Sequence, residues 1–111
     1  MAGECSAEID AAEALYLSSI RDAMRRLGAG ETLEAGYLLR AKRDAAYAAR
    51  TALTAGTRLF NAAGGRAIFE SSPLQRHYRN LMASAAHFSV SWEAAALAAG
   101  RDLIERAAPK G

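Results

Sequence analysis

Apolar side chains recur at helical spacing along almost the whole chain. From Leu74 onward they follow one another at intervals of four, three, four and three residues, which is the spacing of one face of an α-helix. Three other stretches show the same period, and none alternates apolar and polar side chains as a half-buried strand does. The pattern predicts an all-α protein with helices at about residues 7–27, 33–62, 73–87 and 91–107.

Capping residues indicate where these helices begin. Ser6 and Thr32 precede the first and second helices, and a hydroxyl at that position accepts a hydrogen bond from a free amide of the first turn. Cys5, which comes before Ser6, is expected to lie in a frayed start. The pair Ser72-Pro73 is a stronger start signal, because proline in the first helical position needs no partner for an amide hydrogen.

The second predicted helix, residues 33–62, is the longest element and determines the expected architecture. At about 1.5 Å per residue it is ~45 Å long, more than the diameter of a compact ball of this size, so the bundle must be elongated. Its apolar positions, many of them alanine, occupy two adjoining faces, which predicts neighbours on two sides. With short connections the chain forms one domain, residues 1–111, folded as an up-and-down four-helix bundle. Three helices can hardly cover the whole of the long one, so we expect a second chain to help.

Composition narrows the class of protein. The net charge is only +2, and the arginines are spread among acids, which argues against nucleic-acid binding. A single cysteine cannot form a disulfide within the chain, so a reducing compartment is expected. No apolar run approaches the ~20 residues of a membrane span, and the first residues lack the features of a secretion signal. The sequence therefore predicts a cytoplasmic protein that binds neither nucleic acid nor membrane.

The residues that carry chemistry do not form a complete site. The pair Gly64-Gly65 lacks the third glycine and the preceding strand of a dinucleotide-binding motif, and on sequence alone it is more often a helix C-cap. His77 and His87 fall on different faces of one predicted helix, which argues against a structural zinc site, and no metal site is predicted. Taken by itself, His87 is most simply a helix-terminal histidine that is hydrogen-bonded to a carbonyl.

The remaining charged and aromatic side chains have structural interpretations. Four arginines of the long helix are expected to form a solvated or intersubunit ion-pair face: Arg40, Arg43, Arg50 and Arg58. Tyr47 and Trp92 are interpreted as packing residues.

Several sequence runs resemble one protein family. They are RDAAYAAR at residues 43–50, LFNAAGG at 59–65, SSPLQRHYRN at 71–80, and AAH at 85–87 followed five residues later by a tryptophan. Together they resemble the C-terminal helical domain of the acyl-CoA dehydrogenase superfamily, and most of all its branch of two-component flavin-dependent monooxygenases. The resemblance covers nearly the whole chain, and it implies a helical domain that completes a flavin site.

The resemblance also implies roles for single residues. Asn61, Gly64 and Gly65 match a corner that lies against the flavin phosphate region in such enzymes, commonly that of a neighbouring subunit, and glycines there let backbone amides approach a phosphate. His87 matches a histidine that faces the reactive edge of the isoalloxazine and handles the oxygenated flavin or the substrate proton, a task suited to imidazole. Where the dehydrogenase branch has its catalytic glutamate, this chain has residues 87–90, His-Phe-Ser-Val, so proton abstraction of the dehydrogenase kind is disfavoured.

The preceding domains of the family, which hold most of the flavin and substrate pocket, are absent from this sequence. Three interpretations stay open: a fragment of a longer enzyme, a separate subunit, or a stand-alone bundle. The resemblance implies FMN or FAD in the complete enzyme only, a homo-oligomer (dimer or tetramer), a flavin-domain subunit and a flavin reductase as partners, and no activity alone. The alternative is a helical interaction or small-molecule-binding module derived from that domain without redox activity.

Overall fold

The second helix is the element on which the other three pack. The computed structural model describes residues 1–64, 73–88 and 92–109. Its helices are α1 (Ala2–Gly28), α2 (Ala35–Ala62), α3 (Pro73–Phe88) and α4 (Trp92–Ala107). Each of α1, α3 and α4 contacts α2, and within the described ranges these three make no close backbone approach to one another. The all-α class and the four helices are confirmed.

Helix α3 packs on the second half of α2. The Tyr78 ring stacks on Phe60 with 4.4 Å between centroids, and the Tyr78 hydroxyl lies 2.9 Å from the hydroxyl of Thr57. One turn further along α3, Leu81 fills the space that a side chain at Gly56 would need. Residue numbers fall along α2 as they rise along α3, so the two helices are antiparallel.

Helix α4 packs on the first half of α2. At its start the Trp92 ring lies 5.4 Å from that of Tyr47, in agreement with the packing role predicted for both residues. Near its end the Arg106 head group occupies the space beside Gly36. Helix α4 is therefore antiparallel to α2 as well. The last two helices thus follow one another along α2, and α4 does not turn back beside α3.

This arrangement makes the protein elongated and leaves it with a small core. The principal extents are 60 × 32 × 25 Å, and the radius of gyration is 17.4 Å, against about 13 Å for a compact chain of this length. Alanines at helix contacts dominate the buried apolar residues, which are Cys5, Ala12, Ala46, Ala55, Ala85, Ala95 and Ala99. Large apolar side chains lie mostly at the periphery.

The start of α1 differs from the prediction. The helix already includes Cys5, which is fully buried, so the expected frayed start and the N-cap at Ser6 are both wrong. Arg58 of α2 reaches across to Glu4 at 3.3 Å and to Glu8 at 3.4 Å. Contact with α2 therefore holds the first turns of α1 in place, and a search for capping residues cannot detect such a contact.

The start of α2 also differs from the prediction. Its N-cap is Glu34, which makes no side-chain capping hydrogen bond, so the prediction of Thr32 as the cap is wrong. Packing of the helix can substitute for a cap, because most helical stability in proteins comes from tertiary contacts. The predicted cap of the third helix, Ser72, lies outside the described residues.

Candidate functional site

The predicted flavin-contacting corner lies at the C-terminal end of α2. Asn61 is in the last turn of the helix and is exposed. Gly64 comes two residues after the helix ends, is exposed, and has a φ of +73°. Gly65 lies outside the described residues. The structure thus places Asn61 and Gly64 on one accessible helix end.

The backbone at this end has the geometry of a helix C-cap. The amide of Ala63 donates to the carbonyl of Leu59 at 3.1 Å, and Gly64 then takes the left-handed conformation that commonly terminates helices. A Cβ at Gly64 would meet no atom of the described residues within 4 Å. The backbone angle therefore favours glycine at this position.

The corner fits one part of a flavin site and not the whole of one. The exposed amide of Asn61 can donate a hydrogen bond, and the bare backbone at Gly64 allows close approach. However, the C-terminal end of a helix carries the negative end of its macrodipole, which does not attract a phosphate. Donors or cations beyond those of the described residues are needed to hold a phosphate at this corner.

His87 lies in the last turn of α3, and its side chain is outside the described structure. The stacking of Tyr78 on Phe60 places Tyr78 beside the corner. From Tyr78 to His87 the helix advances about 14 Å, at about 1.5 Å per residue. The corner and His87 are therefore positioned by opposite ends of α3, and the described structure does not bring them together.

A groove floored by alanines runs between α1 and α3 and encloses a cavity of about 200 Å³. Its floor is formed by α2, with Tyr16 of α1 on one side and Leu81 and Ser84 of α3 on the other. Ligand pockets commonly enclose ~300–1,000 Å³, so this groove is small for a flavin. The α2 and α3 residues on its floor and inner edge are Ala45, Ala48, Ala49, Ala52 and Ala85.

A polar cleft of about 430 Å³ lies between α1, α2 and α4. At its edge Tyr37 donates a 2.6 Å hydrogen bond to Asp22, which also accepts hydrogen bonds from Arg25 at 2.6 Å and Arg26 at 2.9 Å. The bond from Tyr37, followed by that from Arg25, lowers the pKa of Asp22 from 3.8 to about 2. The same bond raises the pKa of Tyr37. This cluster joins α1 to α2.

The cleft also contains Asp44, a buried carboxylate that sequence reasoning did not single out. Its side chain is 11 % exposed, and Arg43 donates to its Oδ1 from Nη2 at 2.7 Å and from Nε at 3.0 Å. The sequence places Asp44 among the arginines of α2 and gives no signal of burial, because the cleft in which it lies is also lined by residues of α1 and α4.

The arginines of α2 divide between several environments. Arg58 pairs with acids of α1, while Arg43 pairs with its neighbour in the polar cleft. Arg50 lies over the Trp92 ring at 5.5 Å from its centroid, a favourable arrangement for a cation and an indole. Arg40 is exposed and forms no ion pair within residues 1–64, 73–88 and 92–109. The predicted single arginine face is thus partly occupied by contacts inside the chain.

Many large apolar side chains remain exposed. Among the most exposed are Met24 at 67 % and Ile104 at 73 %, on α1 and α4 respectively. The others on these two helices are Ile20, Leu27, Leu97 and Leu103. Monomeric proteins seldom expose extended apolar patches, and such patches commonly mark contacts with other polypeptide.

The described part of the chain contains neither a cluster of metal-ligating side chains nor a helix suited to a membrane. There, no group of three or more histidine, cysteine, aspartate or glutamate side chains is placed to hold a metal ion. None of the described helices combines the length and the apolar character needed to cross a bilayer.

Comparison with known proteins identifies relatives. Residues 1–92 match the family described as acyl-CoA dehydrogenase, C-terminal domain. The chain is similar to the flavin-dependent monooxygenase, oxygenase subunit HsaA, of Rhodococcus jostii, with 34% identity over 84 residues, covering 76% of this chain and 22% of that protein. HsaA of Mycobacterium tuberculosis is 31% identical over 84 residues, covering 76% of this chain and 21% of that protein. No solved structure matches the chain. The chain thus spans about a fifth of the length of these relatives.

Proposed function

Because the chain belongs to the family of acyl-CoA dehydrogenase C-terminal domains, we propose that it serves as the C-terminal helical part of a flavin-dependent monooxygenase. In that role it contributes to oligomerisation and to one wall of the flavin and substrate site, and it is inactive alone. The flavin, FMN or FAD, supplies the oxygen chemistry of the complete enzyme. The cytoplasmic location predicted from the sequence belongs to this proposal.

The observation that carries the proposal is the similarity to HsaA together with the incomplete burial of the chain. The relatives are oxygenase subunits in which the matched region makes up about a fifth of the protein. The described residues expose Met24, Leu27, Leu103 and Ile104 to more than half of their area. A bundle that exposes this many large apolar side chains is suited to packing against further polypeptide.

The proposed site residues divide into two groups along α3. Asn61 and Gly64 lie at the accessible end of α2, where an exposed amide and an open backbone can contact the cofactor. His87 lies about 14 Å further along α3 than Tyr78, which stacks beside that end of α2, at about 1.5 Å per residue. Such a separation suits an extended cofactor with its ring and its phosphate at opposite ends, or cofactors bound to two subunits. Gly65 extends the first group, and His87 holds or moves a proton near the ring.

Two partners follow from the proposal. The relatives are oxygenase subunits by name, so we expect a flavin reductase that supplies reduced flavin. A homo-oligomer, dimer or tetramer, would cover exposed apolar side chains of the bundle. If the missing domains are encoded separately, a flavin-domain subunit is a third partner.

The experiment has two stages. Titration of FMN and of FAD into the isolated chain, followed by flavin fluorescence, should show weak binding or none, with binding restored when the missing domains are added. Tight flavin binding by the chain alone would contradict the incomplete site.

In the second stage, His87→Ala is compared with His77→Ala in the reconstituted enzyme. His77 is exposed on the same helix, so its replacement controls for general effects on α3. Loss of a general acid or base typically reduces the rate by about 10²–10⁴-fold, and this loss is expected for His87→Ala only. Full oxygenation activity in His87→Ala would favour the alternative, a helical module without redox activity.

A further inference from the structure

Tyr78 of α3 makes two contacts with the last turns of α2. Its ring stacks on Phe60, with 4.4 Å between the ring centroids and 18° between the ring planes. Its hydroxyl lies 2.9 Å from that of Thr57, a hydrogen bond in which either group can donate. Thr57 and Phe60 are three residues apart, so they are neighbours on the surface of α2. A single side chain therefore bridges the two turns of α2 that precede Asn61 and Gly64.

Phe60 joins that contact to the backbone of the corner. Its carbonyl oxygen accepts a hydrogen bond from the amide of Ala63 at 3.2 Å, in the cap that leads to Gly64. Asn61 follows Phe60 directly in the chain. A displacement of Phe60 therefore moves the Asn61 side chain and the cap together.

The corner itself lies outside the packed part of the protein. Residues 61–64 are all exposed, whereas Thr57, Phe60 and Tyr78 are half-buried. The contact of Leu81 at Gly56 lies further from the corner than that of Tyr78. Helix ends fray, and a group that becomes ordered only on binding loses affinity through the cost of ordering it. A contact that holds the last turn of α2 in place reduces this cost.

We propose that Tyr78 is a positioning residue for the phosphate end of the flavin. By holding Phe60 it keeps the Asn61 side chain and the Gly64 backbone in the arrangement that contacts the cofactor, and Tyr78 itself does not touch the cofactor. The inference rests on the proposed function, which assigns this corner to the phosphate region, and it adds the residue that holds the corner in place.

The test compares two ligands in the complete enzyme. One is whichever of FMN and FAD binds more tightly, and the other is riboflavin, which has the same ring system and no phosphate. Fluorescence titration gives a Kd for each ligand. The Kd of riboflavin divided by that of the phosphorylated flavin, here called the phosphate ratio, measures the affinity that the phosphate end contributes. General damage to the fold weakens both ligands and leaves this ratio unchanged.

Tyr78→Leu should lower the phosphate ratio about fivefold to tenfold, because a stacked aromatic pair contributes a factor of this order. Tyr78→Phe keeps the ring and removes the hydroxyl, and Thr57→Val removes the hydroxyl on the other side. Each of these two variants should lower the ratio about threefold. The double variant should lower it no further than either single variant, since both substitutions break the same hydrogen bond.

Tyr47→Leu is the matched control. It removes another aromatic contact of α2, that with Trp92 at 5.4 Å. Tyr47 precedes Asn61 by 14 residues, which is about 21 Å along the helix at about 1.5 Å per residue. This variant should lose stability in urea unfolding and keep its phosphate ratio. Circular dichroism of every variant checks that the helices remain folded.

An unchanged phosphate ratio in Tyr78→Leu, Tyr78→Phe and Thr57→Val overturns the inference. Equal weakening of both ligands by these variants also overturns it, because it assigns Tyr78 a purely structural role. The two hydroxyl variants are conservative, so the test does not depend on the folding of Tyr78→Leu.

Gly64→Ala separates this inference from the proposed function. If Gly64→Ala lowers the phosphate ratio while the Tyr78 and Thr57 variants do not, the corner contacts the phosphate and Tyr78 does not position it. If Gly64→Ala also leaves the ratio unchanged, the proposed corner is wrong, and the inference about Tyr78 fails with it.

Discussion

The hydroxyl of Tyr37 donates a 2.6 Å hydrogen bond to Oδ2 of Asp22, and so joins the first turn of α2 to the C-terminal part of α1. Arg26 lies over the Tyr37 ring at 4.6 Å from its centroid while its Nε donates to the same carboxylate oxygen. One carboxylate, which accepts hydrogen bonds from three side chains, therefore joins the end of α1 to the start of α2.

Tyr37→Phe should raise the pKa of Asp22 from about 2 toward its ordinary value of 3.8. The hydrogen bond from Tyr37 is the largest cause of the lowered pKa. Arg25 and Arg26 also lower the pKa, and they remain in the variant. Because the folded-state pKa is depressed, the charge of Asp22 stabilises the fold above about pH 4, and this contribution disappears as the pH falls through about 2. An NMR titration of the Asp22 carboxyl measures the shift directly.

The unfolding free energy of Tyr37→Phe should therefore depend less on pH between 4 and 2 than that of the unmodified chain. Tyr47→Phe is the control, since Tyr47 packs against Trp92 and does not contact Asp22. An unchanged Asp22 pKa in Tyr37→Phe would show that the tyrosine does not contribute.

Gly56→Ala should destabilise the packing of α3 on α2. The new methyl group would overlap the end of the Leu81 side chain, which has to shift. Overpacking typically costs about 1–3 kcal/mol, and alanine returns about 1 kcal/mol of helix propensity. The expected net loss in urea unfolding is about 1 kcal/mol.

Gly100→Ala is the control for this prediction. Gly100 lies in α4, and a Cβ there meets no atom within 4 Å among the residues that the structure describes. Its replacement should raise the unfolding free energy by about 0.5–1 kcal/mol. Equal stabilisation by Gly56→Ala and Gly100→Ala would mean that Leu81 does not occupy the space beside Gly56.

Gly64→Ala should affect both stability and flavin binding. The left-handed backbone at this position costs an L-residue roughly 1–2 kcal/mol. In the complete enzyme, the added Cβ and the altered backbone should also weaken flavin binding, measured by fluorescence titration, if the corner contacts the cofactor as proposed.

Gly30→Ala separates these two effects. Gly30 has a φ of +79° and open space around it, like Gly64, but it ends α1. Its amide donates to Leu27 and the amide of Glu31 donates to Arg26, each at 3.0 Å, which is a Schellman motif. A similar loss of stability is expected with flavin binding unchanged. Equal flavin affinity in both variants would remove Gly64 from the proposed site.

Cys5 should be protected from thiol reagents in the folded chain. Its side chain is fully buried against α2, so modification requires the first turns of α1 to open. An exposed reference thiol is obtained by combining Cys5→Ala with Ala14→Cys on the same helix. Cys5 should react at least about tenfold more slowly than this reference. Equal rates would indicate that α1 frays at its start.

The helical period could be found from the sequence because it depends on residues that lie close together along the chain. Leu74, Tyr78 and Leu81 predict α3 by their spacing alone, and residues 73–88 are helical in the structure. The starts at Ser6 and Thr32 were wrong because contacts with distant segments, such as Arg58 with Glu4, override the preferences of capping residues.

In the candidate site, too, local sequence patterns predict some features, and contacts between distant segments decide others. Asn61, Gly64, Gly65 and His87 were predicted through resemblance to a family, since no local pattern identifies a flavin-contacting residue. The left-handed backbone of Gly64 agrees with the glycine there, while the roles of all four residues stay predictions. Asp44 was missed, because the cleft in which it lies is lined in part by residues of α1 and α4 that are far from it in sequence.

The sequence by itself determined that the chain is helical and that the protein is elongated, whereas the predicted difference in length between the first two helices is almost absent, at 27 and 28 residues. These properties depend on the period and length of apolar runs, which are local. Only the tertiary structure decided that α3 and α4 follow one another along α2, that Leu81 fits at Gly56, and that one edge of α1 stays uncovered. The hydrophobic effect is not directional, so it does not decide which helix packs on which apolar face. That choice depends on how well the shapes and charges of the two surfaces fit, and these surfaces come together only in the folded chain.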